Sequence, residues 1–96
     1  MNTTTAKPAR PATARKVAEA VALADLLGYT VERENDGAMT TTRIAGDCGD
    51  SWMIATMNRT GRTYAHRSVY GTHRVCSIVE VYRDLHHRVA LTNPNA

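Results

Sequence analysis

All six glycines of this 96-residue chain fall between positions 28 and 71, and they cut that stretch into short pieces. The pieces are rich in β-branched and aromatic residues and alternate apolar with polar positions, which is the period of a strand. On either side of them the apolar spacing lengthens to three and four, the period of a helix. A chain that switches period in this way is confined to an α+β arrangement, with local hairpins framed by two helices.

The leading helix is expected over residues 13–27. Val17, Ala20, Val21, Ala24 and Leu27 fall on one stripe, while Lys16, Glu19 and Asp25 lie off it. Thr13 is placed to cap its start and Gly28 to end it in a left-handed conformation. Strands follow from Tyr29 and from Met39, joined by Asn35-Asp36-Gly37, a strong hairpin signal. Gly46 to Asp50 forms a second turn cluster before a strand over residues 52–58. Arg59-Thr60-Gly61 then connects to a fourth strand over residues 62–70. Ser77-Ile-Val-Glu80 matches a capping box and opens a final helix over residues 78–91, striped by Ile78, Tyr82, Leu85 and Val89. The β-branched run from Val75 to Tyr82 also fits a fifth strand, and the box and the Leu85/Val89 spacing favour the helix. The expected order is α-β-β-β-β-α, a four-stranded antiparallel meander packed against two helices.

Hydrophobic residues make up 43% of the chain, with one Trp and no Phe, so one small core built from aliphatic side chains is expected. Residues 1–12, rich in Thr, Ala and Pro, are expected to be a disordered basic arm, residues 13–91 the domain, and residues 92–96 a flexible tail. No run approaches the ~20 apolar residues of a membrane span. Two cysteines and the lack of a signal-peptide apolar region point to the cytoplasm, with both thiols reduced. Ten of the twelve basic residues are Arg, which suggests a GC-rich coding source such as an actinobacterium or one of its phages.

Charge is segregated along the chain. Residues 17–50 carry seven acids against Arg33 and Arg43, whereas residues 59–74 read R-T-G-R-T-Y-A-H-R-S-V-Y-G-T-H-R without an acid. Cations interleaved with aromatics suit an anionic partner. Arg59, Arg62, Arg67 and Arg74 are the expected phosphate contacts, with Tyr64 and Tyr70 stacking on bases. Register remains open at this point. A three-residue loop at 59–61 puts Tyr64 and His66 with Trp52 and Ile54, and a two-residue turn puts them with Met53 and Met57.

Cys48, His66, His73 and Cys76 have the donor types of a zinc site, but their spacing matches no common zinc module. Cys48, in a glycine-flanked turn, is a candidate nucleophile with His66 or His73 as its base, but no second turn signature offers an oxyanion hole. In order of elements alone, the chain resembles the small DNA-binding arms of phage integrases and double-stranded-RNA-binding domains. The lysine-rich start expected of the final helix in the latter is replaced by Ser77-Ile-Val-Glu80, and no site residues carry over. The expectation is a small non-catalytic binding module without a cofactor or metal, engaging DNA or RNA through the Arg/Tyr hairpin. The alternative is a phage- or mobile-element accessory protein that binds and inhibits or redirects a host protein complex. A homodimer through strand edges or open sheet faces is compatible with either.

Overall fold

The computed structural model describes residues 11–92. Helix α1 (Pro11–Leu26) leads into strands β1 (Thr30–Asn35), β2 (Met39–Ala45), β3 (Ser51–Met57), β4 (Thr63–Val69) and β5 (Thr72–Cys76), and helix α2 (Ile78–Thr92) closes the domain. The strands form one antiparallel sheet in sequence order. The α+β class and the meander follow the expectation, but the sheet has five strands where four were expected. The extra strand follows a two-residue turn at Tyr70-Gly71, both at positive φ (56° and 75°), the geometry that a tight hairpin needs.

Helix α1 begins at Pro11, so residues 11 and 12 belong to a helix rather than to an arm, and Thr13 lies inside it. Proline is well suited to a first helical turn, where its missing N–H is not needed. Residues 1–10 and 93–96 lie outside the described residues, and with them most of the expected arm and tail. At the start of α2, Ser77 Oγ accepts the Glu80 amide at 3.2 Å, as the capping box requires. Glu80 does not complete the box and turns to Arg74 instead.

The pairing register puts Ile44, Trp52, Ala65 and Val69 on one side of the sheet together with Ile54. Ala20 and Ala24 of α1 and Val81 and Leu85 of α2 close over that side and complete the core. Alanines on α1 allow close approach to the sheet. Burial of Trp52, Ile44, Ile54, Leu85 and Val81 stabilises the fold by roughly 1.5–3 kcal/mol per side chain. Lys16 Nζ sits 4.1 Å from the Tyr82 ring centre near the start of both helices, and Arg88 reaches Tyr29 beyond the end of α1. The helices therefore run side by side in the same direction, both on one face. The other face of the sheet has no covering element among the described residues.

Candidate interaction surface

The six residues expected to bind nucleic acid divide among three places. Arg67 is on the helix-covered face, where Nε and Nη2 donate to the Asp84 carboxylate at 2.7 and 3.0 Å. Asp84 also accepts Trp52 Nε1 at 2.9 Å, so one carboxylate ties β3 and β4 to α2. Arg74, opposite Arg67 on β5, donates to Glu80 at 2.6 Å. That bond holds the Glu80 carboxyl below its ordinary range. Tyr70, 87% exposed, sits in the β4–β5 turn at the far end of the sheet from the β3–β4 loop. Only Arg59, Arg62 and Tyr64 remain near one another, at and beside that loop. Among the described residues neither Arg59 nor Arg62 is paired with a carboxylate.

The loop spans residues 58–61, closed by the Met57 amide donating to the Arg62 carbonyl at 2.7 Å. Its even length settles the register: Met53 pairs with His66 and Ala55 with Tyr64. Tyr64 and His66 thus share the uncovered face with the methionines.

That face is an ordered array. One row across the strands reads Thr30, Ala45, Ser51, Ser68, His73. The next reads Glu32, Arg43, Met53, His66, Val75, and the third Glu34, Thr41, Ala55, Tyr64. Met39 pairs with Met57 below them. Small side chains in the first row beside long ones in the second leave a groove of about 470 Å³, floored by Ala45, Ser51, Ser68 and Met53. Its walls are Glu32 and Arg43 on one side and His66 and His73 on the other. Arg43 is partly engaged by Glu34, at 3.2 Å.

The four candidate zinc donors separate likewise. His66 and His73 come together on the open face, their ring centres 5.4 Å apart. Cys76 packs against the core from the other face, where burial raises its pKa. Cys48 is exposed on the β2–β3 turn.

A second polar cluster stabilises the end of the domain opposite the β3–β4 loop. Asp50 Oδ2 accepts Arg88 Nη2 at 2.6 Å and Asp50 Oδ1 accepts the Tyr70 amide at 3.1 Å. The Arg88 bond, reinforced by the Tyr70 amide, lowers the Asp50 pKa against the opposing cost of burial. Arg88 also lies 4.9 Å from the Trp52 ring centre, and Tyr29 stacks on Trp52 at 6.0 Å.

Sequence reasoning missed the open-face groove, though β3 carried a signal for it. Trp52 and Ile54 alternate with Met53, Ala55 and Met57, so the strand is apolar on both sides. Strands of that kind are normally covered on both faces. Comparison with protein-family models, with curated proteins and with solved structures gives no match for this chain.

Proposed function

We propose that this protein is a non-catalytic binding module that docks a protein partner against the uncovered face of its sheet. The observation that carries this reading is the double-sided apolar character of β3 in a sheet whose helices cover only one side. Met39, Met53, Met57, Tyr64 and Val75 lie on the bare side, with Tyr64 at 48% and Val75 at 66% exposure. Methionines adapt to irregular partner surfaces, and tyrosine contributes contact area at low entropic cost. The partner chemistry that fits is an apolar ridge entering the groove, flanked by polar groups that meet Glu32 and Arg43. An accessory factor that inhibits or redirects a host complex would act through such a surface.

Capture from nuclease-treated extract, followed by affinity measurement on the isolated partner, tests the reading. Met53→Glu should weaken binding at least tenfold while leaving the fold intact by circular dichroism. Arg59→Ala with Arg62→Ala should change it little. Self-association of the pure chain, lost in Met53→Glu, would instead assign the face to a second copy.

Nucleic-acid binding stands as the second reading, now narrowed to Arg59, Arg62 and Tyr64. The two arginines, which pair with no carboxylate among the described residues, favour it. Binding through them would follow salt steeply, and the Arg59→Ala, Arg62→Ala pair would reduce the salt slope by about two units.

A further inference from the structure

The imidazoles of His66 and His73 stand on neighbouring strands of the open face. His66 pairs with Val75 and His73 with Ser68, so the two side chains occupy a diagonal cross-strand position. Their backbones are fixed by the β4–β5 ladder and by the tight turn at Tyr70-Gly71. The ring centres are 5.4 Å apart, with the planes inclined at 41°.

That separation has a chemical meaning. A zinc ion about 2.0–2.1 Å from one nitrogen of each ring lies roughly 3.2 Å from each ring centre. Two rings subtending a tetrahedral angle at such an ion would have centres about 5.2 Å apart, and at a right angle about 4.5 Å. The observed 5.4 Å is close to the tetrahedral value, so the spacing of the two rings permits a tetrahedral chelate. Imidazole is a borderline donor that suits zinc.

We propose that His66 and His73 are a two-point chelate for zinc on the open face of the sheet. The remaining two tetrahedral positions face the groove, where water or a donor from a docked molecule completes them. Arg43 is the nearest cation in the row of His66, and Met53 stands between them. Its charge is offset by the Glu34 carboxylate 3.2 Å away and by Glu32 directly opposite on β1. Zinc binding stands independently of partner docking, since both ligands belong to one chain.

Calorimetric titration of zinc chloride into the full, tag-free chain is the test, with cobalt(II) as a spectroscopic probe. One zinc per chain should bind, and cobalt should give the intense visible bands of tetrahedral coordination. Either His66→Asn or His73→Asn should lower the affinity at least about tenfold, the least that loss of even an outer-shell partner normally costs. His86→Asn with His87→Asn, on the exposed side of α2, should leave it unchanged. Loss of binding with the α2 pair, retention in either open-face variant, or no saturable binding up to about 1 mM zinc would overturn the proposal. An octahedral cobalt spectrum would overturn the tetrahedral geometry on which it rests.

Discussion

Arg67 of β4 grips Asp84 of α2 through two hydrogen bonds, at 2.7 and 3.0 Å, in the seam between helix and sheet. Both side chains are about four-fifths shielded from solvent. The pair therefore acts on stability, and Arg67 is withdrawn from any surface patch. Asp84→Ala leaves both Arg67 and Trp52 Nε1 without their acceptor, and a loss of about 2–4 kcal/mol is expected in urea unfolding. Replacing both partners together, with Arg67→Met and Asp84→Leu, should recover part of that loss, because no uncompensated charge remains.

Acid should weaken the fold through Asp50. Its carboxyl titrates below the ordinary value near 3.8 because Arg88 and the Tyr70 amide stabilise the charged form. A group with a depressed folded pKa contributes stability that is fully present above its unfolded pKa. That contribution is lost as the pH falls through the folded value. Unfolding free energies between pH 7 and pH 3 should therefore decline below about pH 4, and Asp50→Asn should flatten that decline while lowering stability at neutral pH.

Gly46 is needed for space rather than for backbone freedom. A Cβ built there would stand 3.0 Å from Trp52 Cζ3 and 3.0 Å from Tyr29 Cε2, both ring atoms of the stacked pair. Gly46→Ala should cost about 1–3 kcal/mol by overpacking, seen as a lowered melting temperature and altered near-ultraviolet circular dichroism of Trp52.

Tyr70 has the opposite character. It holds φ at 56° with its side chain almost wholly in solvent, a conformation that asparagine adopts more readily. Tyr70→Asn should raise stability by about 0.5–1 kcal/mol in chemical denaturation.

What could be read along the chain was whatever local chemistry decides. Asp36 accepts the amides of Ala38 and Met39 at 2.9 Å each, so the first hairpin was legible from Asp-Gly alone. The helical stripes and the Ser77 cap were legible for the same reason. The fifth strand was hidden because Tyr70-Gly71 lacks the Asn or Asp that marks such turns. The basic run looked coherent because its carboxylate partners, Asp84 and Glu80, belong to another element. The groove depended on a loop of even length, which no single residue type announces.

The bare face of the sheet is the proposed docking site of a protein partner. A photo-crosslinking side chain placed at Met53, with one at the exposed helix position Val79 as the control, reads this directly. A discrete nuclease-resistant protein adduct is expected from position 53 and none from position 79. Adducts confined to position 79, or adducts from position 53 that disappear on nuclease treatment, would contradict it.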